Sequence, residues 1–158
     1  MTETFHLIHA NIALMRDEFD SQQMSGFVSQ MEVVGEIASQ SPGFVAQPYP
    51  ADSGDVYNGR YLLNLSIWES VESLRAFTYA GRHAEFLKRR LEWFQKIDKP
   101  TYVLFWFPVG QVPSELEVSR RIQALTELGP TTYAFDFKHN FTAQEARNDD
   151  LNPGENYA

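Results

Sequence analysis

The stretch Arg60-Tyr-Leu-Leu-Asn-Leu-Ser-Ile-Trp68 decides the fold of this chain. In an extended strand, Leu62, Asn64, Ser66 and Trp68 share one face, and Tyr61, Leu63, Leu65 and Ile67 share the other. Ser70 is a good N-cap, with Glu72 favourable in the first turn, so a helix is predicted from residue 71 to about residue 95. Upstream, residues 5–14 are almost continuously apolar, as in a central strand covered on both faces. Met24, Phe27, Val28, Met31, Val34 and Ala38 recur at helical spacing, and Ser41-Pro42-Gly43 stops that helix. Residues 43–47 read as a short strand, residues 48–59 as a loop rich in Pro, Asp, Ser and Gly, and residues 101–108 as a strand dense in β-formers.

The resulting order, β-α-β-β-α-β, is the ferredoxin-like α+β arrangement, an antiparallel sheet with two helices on one face. Residues 114–128 add a C-terminal helix, preceded by Pro113 and ended by Gly129-Pro130. Residues 133–141 add a short edge strand, since Tyr133, Phe135 and Phe137 alternate. Residues 1–141 therefore read as one domain, and residues 142–158, poor in apolar side chains, as a flexible tail. The helix-free face of such a sheet would be apolar and bare, so a homodimer is expected to bury it.

Composition narrows the function. The chain has 158 residues, 43% hydrophobic and 14% aromatic, with a net charge of −8. An acidic surface repels phosphate backbones, which argues against a nucleic-acid partner. Cysteine is absent, so disulfides, thiolate metal sites and cysteine nucleophiles are excluded. No apolar run approaches the ~20 residues that span a bilayer, and no secretory signal is visible, so a cytoplasmic location is expected.

The second helix carries an additional stripe. Tyr79, His83, Phe86, Arg90 and Trp93 are spaced to line one side of it. Residues 82–99 are also locally basic, with six basic residues against three acidic ones. An aromatic wall beside basic charge suits a flat, hydrophobic, anionic ligand, and a neutral histidine on that wall can ligate a metal within it. Aromatic stripes at helical spacing are also commonly core or interface, and both readings stand at this level. Other candidates are weaker. His6 and His9 point to opposite faces of a strand and cannot chelate one metal together, and Asp52 and Asp55 around Gly54 read as turn chemistry. Asn64 and Ser66, beside Trp68, can orient a substrate or bond to strand neighbours.

The segments Asn64-Leu-Ser-Ile-Trp68-Glu-Ser, Leu74-Arg-Ala-Phe77, His83, Arg89-Arg90-Leu-Glu92-Trp93-Phe94 and Trp106-Phe-Pro108-Val-Gly110 resemble a bacterial family, domain of unknown function 3291. So do the opening His6-Leu-Ile-His-Ala-Asn11-Ile and Gly129-Pro130 with Phe135 and Phe137. The resemblance runs over residues 5–141 and implies the dimeric α+β barrel superfamily. Its members include antibiotic-biosynthesis-type monooxygenases, haem-degrading oxygenases and stress-response barrels. The stretch from Trp68 to Phe94 is also similar to spheroidene monooxygenases, which contain haem. In the haem-degrading relatives the axial histidine lies on the second helix, which by resemblance points to His83.

Three functions follow as expectations. The first is a haem-binding monooxygenase-like homodimer acting on a small hydrophobic substrate. In it His83 is the axial ligand, Arg89 or Arg90 pairs with propionates, and Trp68, Phe86, Trp93 and Trp106 form walls beside Tyr79. The second is a cofactor-independent monooxygenase in which Asn64, Trp68 and His83 position an electron-rich substrate. The third is a non-enzymatic small-ligand-binding dimer.

Overall fold

The apolar run at the N-terminus becomes the axis of the sheet. β1 (Phe5–Met15) pairs antiparallel with β3 (Tyr61–Trp68) on one side and β5 (Tyr102–Pro108) on the other, and β2 (Phe44–Tyr49) pairs outside β3. The strands thus lie in the order β2-β3-β1-β5, with the two-residue β4 (Phe94–Gln95) also against β1, beyond β5. This is the ferredoxin-like α+β topology expected from the sequence. The structure, a computed structural model, describes residues 4–49 and 61–150. Most of the expected 48–59 loop lies outside the described residues.

Register assigns the faces. Leu7 pairs with Trp68 and Trp106, His9 with Ser66 and Leu104, and Asn11 with Asn64 and Tyr102. This set looks toward α1 (Ser25–Ser39) and α2 (Val71–Thr78), because Ala38 of α1 and Val71 and Leu74 of α2 pack in one buried cluster with Leu7, Trp68 and Leu104. Their neighbours by period two, including Ile8, Ala10, Ile12, Leu63, Leu65 and Phe105, look the other way.

That second face is not bare. α5 (Glu115–Leu128) lies on it, and Val118, Ile122 and Leu125, spaced i, i+4 and i+7, are buried there with those strand residues. Ser114 caps the helix by accepting the Glu117 N–H, and Gly129, at φ +73°, ends it. Arg121 secures the packing. Its guanidinium lies 4.5 Å from the Phe105 ring centroid and 3.9 Å from that of Tyr133. It also donates to Glu117 at 2.6 and 2.9 Å and to the Tyr133 carbonyl at 2.9 Å. The expectation of a bare face is overturned, and the case for a homodimer through it loses its basis.

Three further expectations change. The second helix is not continuous to residue 95. It breaks at an extended Ala80 followed by Gly81 at φ +54°, and again at Arg89, giving α2, α3 (Gly81–Lys88) and the single turn α4 (Arg90–Trp93). The expected 133–141 strand is one antiparallel bridge, in which Leu104 and Phe135 exchange backbone hydrogen bonds of 2.8 and 2.9 Å. The expected tail starts with α6 (Ala143–Asp150), whose Ala146 is buried and whose Asp149 pairs with Thr132. Residues 151–158 lie outside the described residues. Among the described residues no helix is long and apolar enough to cross a membrane.

Docking of α5 is testable by equilibrium unfolding. Ile122→Ala should cost about 2–5 kcal/mol, because it opens a cavity under the helix. Arg121→Ala should cost about 1–3 kcal/mol, because the Tyr133 carbonyl and Glu117 lose a charged donor. Urea midpoints unchanged in both variants would show that α5 does not cover the sheet.

Candidate functional site

The face beneath α1 and α2 is apolar at its two ends and polar across its middle. At one end Leu7, Trp68, Leu104, Val71 and Leu74 pack with Phe135 and Phe137. At the other end Met15 and Leu62 pack with Met24, Phe27 and Trp93. Between them a line of hydrogen-bonding side chains crosses the strands: Gln47 on β2, Asn64 on β3, Asn11 on β1 and Tyr102 on β5. Gln47 Nε2 donates to Asn64 Oδ1 at 2.7 Å, and Asn64 Nδ2 donates to Asn11 Oδ1 at 3.0 Å. The amides therefore run head to tail, and Tyr102 is the register partner of Asn11 on the far side. His9 and Ser66 form the adjacent row.

The helix over this line is only partly buried at its centre. α1 is buried only at Phe27 and Ala38, whereas Met31, Val34 and Gly35 between them are half-buried. A Cβ added at Gly35 would come within 3.7 Å of Gln47 Oε1, which puts the helix centre over the amide row. Gln47, Asn64, Asn11, His9 and Tyr102 are likewise half-buried. The result is a half-buried polar row between two apolar clusters, a composition that suits a small-molecule site.

Tyr102 joins the floor to the C-terminal segment. Its hydroxyl accepts the Phe137 N–H at 3.1 Å, and its ring lies 5.8 Å from His9 and 5.5 Å from Phe137, centroid to centroid. Burial pushes the phenol pKa up, opposed by the Phe137 N–H and assisted by the Asp136 charge.

The residues singled out in the sequence divide. Asn64 sits at the centre of the amide row. Trp68 faces the same side but is fully buried, its indole N–H donated to Ser66 Oγ at 2.9 Å and its ring stacked on Phe77. Trp106 donates to the Phe141 carbonyl at 2.8 Å. Tyr79 is exposed and meets Phe137 edge-on. Phe86 and Trp93 belong to the opposite end, packed on Phe27 and on each other. Arg89 is exposed, stacked on Trp93 and paired with Glu92 at 2.8 Å, and that hydrogen bond raises the arginine pKa and lowers the glutamate's. Arg90 donates to the Leu87 carbonyl within its own chain turn. The side chain of His83 lies outside the described residues.

The expected haem wall is therefore not one surface. The break at Ala80–Gly81 separates Tyr79 from Phe86 and Trp93, and Trp68 and Trp106 belong to the cluster at the other end. These residues do not fit a single flat slot. Among the described residues no group of three or more His, Asp or Glu side chains could hold a metal ion.

Asn11, Gln47, Tyr102 and Phe137 were not legible as site residues in the sequence. The sequence places His9 and His6 on opposite faces of β1, and the register agrees. Period-two alternation in β1 does put His9 and Asn11 on one face, but only the pairing with β3 shows that they meet Ser66 and Asn64. A separate cleft of about 430 Å³, lined by Lys99, Pro100, Thr101, Tyr102, Leu125, Pro130 and Asp136, touches the amide row only through Tyr102.

The family described as a domain of unknown function (DUF3291) matches residues 6–151, and the chain belongs to it. No curated protein matches the sequence. Among solved structures, the chain is similar to SnoaB, a cofactor-independent oxygenase from Streptomyces nogalater, at 11% identity and a TM-score of 0.48, over 69% of this chain and 97% of that one. It is similar to a monooxygenase from the gene ActVA-Orf6 of Streptomyces coelicolor, solved with nanaomycin D, at 19% identity and a TM-score of 0.43, over 70% and 94%. It is also similar to PA3566 from Pseudomonas aeruginosa, at 6% identity and a TM-score of 0.47, over 72% and 100%. No residue role is carried over from these structures.

The raised Tyr102 pKa has a signed consequence. The unfolded phenol ionises near pH 10, before the folded one, so the folded state loses stability as pH rises from about 10 through the folded pKa. Tyr102→Phe lacks this ionisation and also lacks the acceptor for the Phe137 N–H. Wild type should be the more stable at about pH 9, and the gap should narrow toward about pH 11 in urea unfolding. A constant gap would contradict the burial of the phenol.

Proposed function

We propose that α1 and the sheet open a groove over the amide row, in which the chain binds a small, flat, hydroxylated hydrophobic molecule and oxidises it with molecular oxygen without a cofactor. The observation that supports this reading is the Gln47–Asn64–Asn11 amide row set into an otherwise apolar face under a half-buried helix centre. Polar side chains in such a place cost desolvation, and they repay it when a ligand oxygen meets them.

The chemistry follows from what the groove can supply. Without a redox cofactor the electrons must come from the substrate, which favours an electron-rich phenol or quinol. Amide donors along the row stabilise the phenolate oxygen as the charge develops. The phenolate gives its electrons to oxygen, a carbon–oxygen bond forms on the ring, and loss of water leaves a quinone. One phenol and one O2 thus give one quinone and one H2O. The apolar ends hold the ring and exclude bulk water from it. Trp68, fully buried and with its N–H given to Ser66, supports the floor from within the core and does not meet the ligand.

Oxygen uptake by the purified chain with a dihydroxynaphthalene tests this reading. Asn64→Ala, which interrupts the row at its centre, should lower kcat/KM about 10²-fold, the effect expected for a lost oxyanion donor. Added haemin should leave that rate unchanged. Binding of the naphthalene without oxygen uptake would make the chain a ligand-binding protein, and uptake that depends on haemin would restore the haem reading.

A further inference from the structure

The outer edge of β5 is only partly paired. Along an antiparallel strand, alternate residues turn their backbone N–H and C=O to the same side. The Ile12 N–H donates to the Thr101 carbonyl at 2.8 Å, so Thr101 and, by period two, Val103 and Phe105 bond inward to β1. Leu104 bonds outward, exchanging both its backbone groups with Phe135. Tyr102 therefore turns its backbone N–H and C=O outward as well. Continued register would put Phe137 opposite Tyr102, but the backbone of Phe137 is engaged elsewhere. Its N–H donates to the Tyr102 hydroxyl at 3.1 Å, and its carbonyl accepts from Arg75 Nη2 at 2.8 Å and Asn140 Nδ2 at 3.1 Å. The outward backbone groups of Tyr102 have no hydrogen-bond partner among the described residues.

This open rung borders the cleft of about 430 Å³, a volume in the small-ligand range. Pro100, Leu125 and Pro130 give the cleft apolar walls, and Asp136 and Lys99 give it opposite charges. Asp136 follows Phe135, at the point where the chain leaves the ladder. Its Oδ1 accepts the His139 N–H at 2.7 Å, and its Oδ2 has no hydrogen-bond partner among the described residues. Lys99 precedes Tyr102 by three residues, about 10 Å of extended chain. Its Nζ lies 5.7 Å from the Tyr61 ring centroid.

We propose that this cleft is a second site, separate from the amide row, which captures a short peptide with both termini free and an apolar second residue. A peptide antiparallel to β5 runs from the Asp136 end toward Lys99, the direction that Phe135 and Asp136 themselves follow beside Leu104. Its first residue takes the rung that Phe137 leaves open. The ammonium donates to the Tyr102 carbonyl and pairs with Asp136, and the first carbonyl accepts the Tyr102 N–H. The second side chain, opposite Thr101, turns to the face on which Leu125 packs with Val103 and Phe105. Three residues span about 10 Å, so the carboxylate of a tripeptide reaches Lys99. This is strand addition at a sheet edge, with the two charges fixing direction and length.

Nitrogen–proton spectra of the labelled full chain, titrated with Ala-Leu-Ala, test this. The Tyr102 backbone N–H signal should move, and the side-chain amides of Gln47 and Asn64 should stay in place. N-acetylated Ala-Leu-Ala and its C-terminal amide should each bind about tenfold more weakly, the loss expected for one charged hydrogen bond. Asp136→Asn should weaken the free peptide to a similar extent and leave affinity for the acetylated peptide unchanged. Lys99→Gln should do the same for the carboxylate, sparing the amide. Both replacements keep side-chain size, and Asp136→Asn keeps the Oδ1 acceptor for His139. Equal affinity of wild type for the free and capped peptides overturns the proposal. So does a Tyr102 N–H signal that stays fixed at millimolar peptide, or a peptide that moves the Gln47 and Asn64 side-chain amides instead.

Discussion

A sheet whose central strands are apolar on both sides must be shielded from water twice, and most of this structure answers that requirement. One face of β1, β3 and β5 carries Ile8, Leu63, Leu65 and Phe105, all buried. The other carries Leu7, Trp68 and Leu104, also buried. The two helices of the ferredoxin-like unit cover only one of these faces. The chain meets the remaining need from its own length, by laying α5 across the second face and clamping it with Arg121 between Phe105 and Tyr133. Having used its C-terminal half on that side, the chain then has to round β5, and this brings Phe135, Phe137 and Phe141 back to the first.

That constraint also explains why the middle of the first face stands out. Where burial is so thorough, a row of amides is costly unless every group finds a partner, and here Gln47, Asn64 and Asn11 satisfy each other in sequence. On the proposed reading, the NH2 hydrogens that these bonds leave over are what a ligand oxygen would meet. The segment after α5 is tied to the same line, because the Phe137 N–H donates to the Tyr102 hydroxyl.

Much of this was legible in the sequence, and the failures have physical causes. The alternation in residues 60–68, the stripe of α1 and the Ser114 and Gly129 boundaries of α5 are local signals, and the structure keeps them. The apolar spacing of the second helix continues past Gly81, but an extended Ala80 and a left-handed Gly81 end the helix there. The stripe from Tyr79 to Trp93 existed only if that helix were straight. α6 was missed although its signal is present: Thr142 and Glu145 form a capping box, with Thr142 Oγ1 accepting the Glu145 N–H and Glu145 Oε2 accepting the Thr142 N–H. The covering of the second face by α5, and the meeting of Asn11 with Asn64 and Tyr102, depend on tertiary placement and register, which no local pattern encodes.

The central claim is that the amide row is the floor of a ligand groove. Side-chain amide signals report on it directly, since the NH2 groups of Asn11, Asn64 and Gln47 each carry a pair of nitrogen-bound protons. Titration of the labelled chain with 1-naphthol should move these three pairs together, with the Tyr102 ring, and leave the Trp93 indole signal and the Arg89–Glu92 surface in place. Shifts confined to the cleft around Lys99, Leu125 and Pro130, with the three amide pairs unmoved, would contradict it.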